Sequence, residues 1–208
     1  MNLLTQAEFE ARWSALHGGA EIKGAVSWWL SISYQMARIC SALRVSPNFL
    51  TLLGLLTAVA MAFSDYAEIA LLLLVTSLIF DGIDGSVAIV QQRESNWGSL
   101  LDSLADRISE ALWLYMGWKV GVPAWIAISM WTIASTQEYA RARLASLGHS
   151  QIGVVTPTER PVRAIFMAIA LLTFIFELPG IEVLSYIFLG ALIYSFLRVM
   201  RVTFLILR

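Results

Sequence analysis

Apolar residues fill six long stretches of this chain, separated by short polar breaks, and the stretches run too long for the one-sided helices of a water-soluble domain. They predict six membrane-crossing helices, at 47–63, 67–90, 97–120, 123–144, 161–178 and 181–207. Ser64-Asp65-Tyr66, the turn from Gly117 to Pro123 and the turn from Glu177 to Glu182 then fall on one side of the membrane. Both termini, the 91–96 link and the long 146–160 link fall on the other. Upstream, 24–43 carries Trp28, Trp29, Tyr34, Met36 and Ile39 beside Lys23, Arg38 and Arg44, a pattern that suits an amphipathic helix lying in the membrane interface. Packing on the bundle from the water side is the alternative. Residues 1–17 are amphipathic, with Glu8, Glu10 and Arg12, and lack the apolar core of a cleavable signal peptide, so the first span is expected to act as the insertion signal.

Composition leads to the same class. With 58% hydrophobic residues and a mean hydropathy of +0.71, a single soluble domain is excluded. The expectation is an all-α polytopic membrane protein, with an N-terminal helical segment at 1–46 and one six-helix membrane domain at 47–208. No repeat or low-complexity tract suggests a further domain. Cys40 stands alone, which excludes an intramolecular disulfide.

The net charge of −1 carries little information; the placement of the charges carries more. Arg12, Lys23, Arg38, Arg44, Arg93, Arg141, Arg143, Arg160, Arg163, Arg198, Arg201 and Arg208 fall on the side of the termini, and essentially only Lys119 falls opposite. By the positive-inside rule both termini face the cytoplasm, in a multi-pass protein of the cell membrane.

Four carboxylates interrupt the second and third apolar stretches near that cytoplasmic side. Asp81 and Asp84 are three residues apart, whereas Gly98, Asp102 and Asp106 recur at intervals of four, so each set lines one face of its helix. An ionised side chain at membrane depth costs roughly 2.5–3.5 kcal/mol on insertion scales, so four together need compensation. A bound cation supplies it. Oxygen donors with no Cys or His nearby favour a hard ion, Mg²⁺ or Mn²⁺ before Zn²⁺. Glu110, one turn beyond Asp106, either extends this acidic stripe or pairs with a polar neighbour. A carboxylate pathway of the kind transporters use is the rival reading, but it spreads its charges through the membrane depth, and these cluster at one end.

Asp81, Asp84, Gly85, Ala88, Gly98, Asp102 and Asp106 resemble the signature of the CDP-alcohol phosphatidyltransferases, Asp-x2-Asp-Gly-x2-Ala-Arg-x8-Gly-x3-Asp-x3-Asp, with every gap conforming. One position departs: Ile89 stands where that family has Arg. Arg93, one turn later on the same face, is placed to reach back to the same spot. Pro47-Asn48-Phe49-Leu50-Thr51 is similar to the family's Pro-Asn-x-x-Thr element at the start of the first span. The resemblance implies that Asp81, Asp84 and Asp102 hold Mg²⁺ or Mn²⁺, and that Asp106 is both a further ligand and the general base. It implies that Asn48, Thr51, Asp84, Gly85, Ala88 and Gly98 hold the cytidine nucleotide. The reaction it implies moves a phosphatidyl group from a CDP-diacylglycerol-like lipid to the hydroxyl of a polar alcohol and releases CMP, in phospholipid biosynthesis. It also implies a homodimer among membrane lipids, with no nucleic-acid partner. Because of Ile89, a catalytically silent lipid- or nucleotide-binding relative is the alternative within the family.

On the acceptor side, Tyr139-Ala140-Arg141-Ala142-Arg143 and Glu159-Arg160-Pro161-Val162-Arg163 resemble stretches of prokaryotic members that make phosphatidylglycerol phosphate or phosphatidylinositol phosphate. Arg141, Arg143 and Arg160 then suit a phosphorylated acceptor, glycerol phosphate or inositol phosphate, because guanidinium grips phosphate through paired donors. Topology alone predicts the same arginines. His17 and His149 are isolated, and nothing in the chain suggests a covalent enzyme intermediate.

Overall fold

Why the helices stop where they do is written in local chemistry. The computed structural model describes residues 3–149 and 155–208, so the middle of the expected 146–160 link lies outside the described residues. Among the described residues there are eight α-helices and no strand: α1 (Gln6–Leu16), α2 (Ala25–Ala42), α3 (Pro47–Ala62), α4 (Ala67–Val90), α5 (Asn96–Lys119), α6 (Ala124–Ser146), α7 (Arg160–Ile175) and α8 (Ile181–Leu207). A capping box opens α1, with the Thr5 hydroxyl accepting from the Glu8 amide and the Glu8 carboxylate accepting from the Thr5 amide. Arg44, in the left-handed region at φ 58, closes α2. There the Val45 amide donates to the Cys40 carbonyl at 2.9 Å and the Arg44 amide to the Ser41 carbonyl at 3.1 Å. Ser46 then caps α3, accepting from the Phe49 amide at 3.3 Å, with Pro47 in the first turn. The two helices consequently meet at 109°.

One compact unit comprises Met1–Ala58 and Val75–Ile108. Leu30, Tyr34, Ala37 and Ser41 recur at helical spacing along α2 and are all buried. Leu30, Tyr34 and Ala37 meet Phe9 of α1, Leu50 of α3, and Ile83, Val87 and Val90 of α4 in one apolar cluster. Phe9 is fully buried, worth about 1.5–3 kcal/mol. Hydrogen bonds from the Leu4 amide to the Val90 carbonyl (3.2 Å) and from the Tyr34 hydroxyl to the Leu4 carbonyl (3.1 Å) tie the N-terminal segment to this core. Of the large side chains expected to mark the interface on α2, Tyr34 faces inward while Trp28 and Ile39 are exposed. The Trp29 ring lies so close to Gly82 that a Cβ there would fall 2.6 Å from it, which makes Gly82 the condition for this approach of α2 to α4.

A second unit comprises Val59–Leu74 and Ser109–Arg208. Its helices α6, α7 and α8 pack together around Ile126, Met130, Phe166, Met167, Leu171 and Leu192. Phe166 and Phe188 stack at 4.4 Å. Trp113 of α5 is buried with this core, while Trp118, Trp125 and Trp131 keep substantial exposure.

Among the described residues two helices, α4 and α8, are long and apolar enough to cross a membrane, or up to three spans if the bent pair α2–α3 counts as one. α3 and α7, of 16 residues each, extend about 24 Å, short of a bilayer core of about 30 Å. Val183, Tyr186, Ile187, Tyr194, Leu197, Phe204 and Leu205 leave an apolar flank of α8 exposed. An apolar surface of that extent is costly in water and suits lipid, so the apolar helices mark a membrane protein.

Candidate active site

α4 brings Asp81 and Asp84 to its last turns, and α5 carries Asp102 and Asp106 early in its length. The start of α5 is set by Ser95, whose hydroxyl accepts from the Gly98 amide at 3.0 Å. Carboxylate oxygens of Asp81, Asp102 and Asp106 all lie within 4.8 Å of one another, and the three side chains are half-buried. Asp106 also lies 3.8 Å from the guanidinium of Arg107. Asp84, expected among the metal ligands, lies outside this trio. It is buried, accepting a hydrogen bond from the Thr51 hydroxyl at 2.5 Å and one from the Gly85 amide at 2.6 Å. Three carboxylates at this spacing repel unless a cation sits among them, and an all-oxygen donor set fits a hard divalent ion.

Beside the trio runs a cleft of about 280 Å³, lined by Asn48, Thr51, Asp84, Gly85, Ala88 and Gly98 together with Asp102. The six residues expected around the nucleotide are thus brought into one cavity. A Cβ on Gly85 would meet nothing within 4 Å, so this residue faces open cleft. A Cβ on Gly98 would come within 3.1 Å of both the Asn48 Oδ1 and the Ser95 Oγ.

Ile89 is buried in the apolar cluster and also lines the cleft. The expectation that Arg93 continues the helical face one turn later is corrected by the structure, because α4 stops at Val90. Gln92 turns left-handed at φ 54, and the Arg93 amide donates to the Ala88 carbonyl at 2.8 Å. Arg93 reaches the cleft from the link that follows. Leu16, His17, Glu94, Ser95 and Ser99 also line it and were not anticipated. Ser95 had a local signal as a helix cap; Leu16 and His17 had none, since their approach depends on how α1 packs.

The acceptor-side arginines belong to the second unit, where most are engaged. Arg141 closes its fork on Glu159, at 2.8 and 2.7 Å, and also meets Glu138 at 3.2 Å. Burial pushes the Glu159 carboxyl up, but hydrogen bonds from Arg141 and from the Thr156 hydroxyl and amide outweigh it and hold the carboxyl at about 2. Arg143 donates to the Ser146 hydroxyl at 3.2 Å, and the Arg160 guanidinium lies 5.2 Å above the Trp113 ring. Glu110, which spacing left between two roles, is buried against Arg163 at 2.6 Å. Arg163 in turn donates to the Thr158 carbonyl at 2.7 Å.

Comparison with known proteins settles the class. The chain matches the CDP-alcohol phosphatidyltransferase family over residues 44–203 and belongs to it. It is an enzyme of that class. It is 29% identical over 140 residues to the archaetidylinositol phosphate synthase of Pyrococcus horikoshii, covering 64% of this chain and 74% of that one. It is 34% identical over 155 residues to the phosphatidylinositol phosphate synthase of Streptomyces avermitilis, covering 67% and 63%. Crystal structures of the Mycobacterium tuberculosis phosphatidylinositol phosphate synthase share the fold. The complex with CDP-DAG gives a TM-score of 0.70 at 20% identity, over 83% of this chain and 94% of that one. A complex of the same protein with manganese and citrate gives 0.70 at 19% identity, over 83% and 88%.

Proposed function

We propose that the chain transfers a phosphatidyl group from a CDP-diacylglycerol-like lipid to a phosphorylated polyol, in a reaction that depends on a divalent cation and releases CMP. The observation that carries this reading is that Asp102 belongs both to the carboxylate trio and to the lining of the nucleotide-sized cleft. Phosphoryl transfer asks a protein chiefly for positioning and charge neutralisation, and this arrangement joins the two. Asp81, Asp102 and Asp106 would hold Mg²⁺ or Mn²⁺; manganese in the fold neighbour supports that choice. When bound, the cation neutralises the pyrophosphate oxygens and the charge that develops as CMP leaves. Asn48, Thr51, Gly85, Ala88 and Gly98 shape the seat of the cytidine, with Asp84 bracing Thr51.

In the transfer step the acceptor hydroxyl oxygen bonds to the lipid-side phosphorus while the bond from that phosphorus to the CMP oxygen breaks. A carboxylate oxygen of Asp106 accepts the hydroxyl proton. For the acceptor we favour inositol phosphate over glycerol phosphate, supported by the names of the Pyrococcus and Streptomyces relatives. Arg141, Arg143 and Arg160 are the candidate contacts to its phosphate, with Arg141 also holding Glu159. We further propose six spans within 47–208, an interfacial α2 within 1–46, cytoplasmic termini and a homodimer among membrane lipids.

The test is the purified chain in lipid vesicles with CDP-diacylglycerol, Mg²⁺ or Mn²⁺, and a panel of inositol phosphate, glycerol phosphate, inositol and serine, reading CMP release and product mass. Asp106→Asn should retain nucleotide binding and lose turnover by a factor of about 100 or more. No CMP release by the native chain with any acceptor would overturn the reading and leave a silent relative.

A further inference from the structure

The match to the family begins at residue 44, yet the nucleotide-sized cleft has a wall from outside it. Leu16 and His17, at the end of α1, line the same cavity as Asn48 and Gly85. α1 is anchored there by the buried Phe9 and by an ion pair of Arg12 with Glu94, at 2.9 Å, which joins α1 to the link after α4. Cleft charge makes this placement consequential. Asp84, Glu94 and Asp102 line the cavity; the proposed cation offsets Asp102, whereas Glu94 meets an entering pyrophosphate as a like charge. Against it stands the guanidinium of Arg93, with the polar ring of His17 beside it, while Ile89 contributes no charge. Arg12 engages Glu94 and offsets its charge.

His17 is held for such a task. Its ring stacks on Trp13 with centroids 4.0 Å apart and planes 19° from parallel. Its Nδ1 lies 2.8 Å from the Trp13 carbonyl oxygen, which can only accept, so Nδ1 carries the proton. Nε2 is the ring's other polar atom, and it donates to a phosphate oxygen when the ring binds as the imidazolium.

We propose that α1 is a wall of the donor-nucleotide cleft, that Arg93 and His17 bind the donor's phosphates, and that Arg12 is a positioning residue acting through Glu94. This rests on the proposed function in taking the cleft as the nucleotide site. α1 lies before the residues that match the family, and Arg93 brings positive charge to the cleft that Ile89, at the signature's arginine position, does not supply.

The test uses the full-length chain in detergent with Mn²⁺, titrated calorimetrically with CDP and, separately, with cytidine. Arg93→Ala should weaken CDP binding by about 10-fold or more, the loss expected for a charge-assisted contact. His17→Ala should weaken it by about 3- to 10-fold, and neither should change cytidine binding by more than about two-fold. Arg93→Lys should recover part of the loss. Arg12→Ala should weaken CDP binding, and adding Glu94→Gln should restore it. Lys23→Ala, which breaks only the exposed pair with Glu21, should behave as the native chain. Unchanged CDP affinity in both Arg93→Ala and His17→Ala overturns the proposal, as do equal losses for CDP and cytidine, which would make these residues structural. Native protein that binds CDP with this pattern but releases no CMP from CDP-diacylglycerol would sink the proposed function and leave the binding assignment standing.

Discussion

Asp81→Asn keeps the shape of the side chain and removes one of three negative charges whose oxygens lie within 4.8 Å of one another. At that separation two unit charges repel by about 3.5 kcal/mol at an effective dielectric of ~20, and by about 1 kcal/mol in bulk water. The half-buried trio falls between these limits. Neutralising Asp81 relieves two of the three pairs but also weakens whatever else its carboxylate engages, so in chelator the variant should be the more stable of the two, by well under the ~7 kcal/mol that two bare pairs would give. The order reverses in its response to metal. A cation at 100 times its dissociation constant stabilises the native chain by about 2.7 kcal/mol, which for a chain of this size raises the melting temperature by about 5–11 °C. Asp81→Asn should show a small fraction of that rise. The assay is thermal unfolding in detergent of both proteins, first in EDTA and then across a titration of Mn²⁺ and of Mg²⁺. A chelated native chain as stable as the variant, or an identical response of both to Mn²⁺, would refute the argument that these carboxylates repel and share an ion.

Three further outcomes follow from the same physics. Arg163→Met leaves the buried Glu110 without its 2.6 Å partner and should cost about 3–5 kcal/mol in a denaturation series; Glu110→Met together with Arg163→Met should recover much of it, and equal losses in both would contradict the coupling. Gly85→Val adds atoms only to open cleft, so melting should change by no more than a couple of degrees while CDP affinity falls about 10-fold or more; retained affinity would move the nucleotide elsewhere. Glu159 is held at about 2, below its ordinary 4.5, so its contribution is complete above pH 4.5 and fades as pH falls toward 2. Glu159→Gln should therefore be destabilised near neutrality and converge on the native chain in acid, and a pH-independent gap between the two melting curves would count against it.

How far the chain could be read in advance depended on the range of the interaction. The α4 and α8 boundaries at Ala67–Val90 and Ile181–Leu207 coincide with those expected from apolar runs, because polar breaks and helix ends are local events. Intervals of three and four placed the acidic residues on single faces of α4 and α5 for the same reason. The number of spans is a separate matter: six helices occupy the six expected stretches, and by length and apolarity alone α4 and α8 qualify among the described residues. Arg93 shows the limit within one helix: a regular face extended past Ile89 predicts its position, but a left-handed Gln92 ends the helix first.

By itself the sequence determined an all-helical chain with apolar faces too extensive for water, and four aspartates at helical intervals, with the signature glycines Gly85 and Gly98 among them. Only the tertiary structure decided that Asp81, Asp102 and Asp106 converge while Asp84 turns to Thr51. It also decided that Arg141 closes on Glu159, Glu110 on Arg163, and that α1 forms a wall of the cleft. The physical reason is that periodicity is set by neighbours along the backbone. Which carboxylate meets which partner is set by packing between segments tens of residues apart, and no spacing records it.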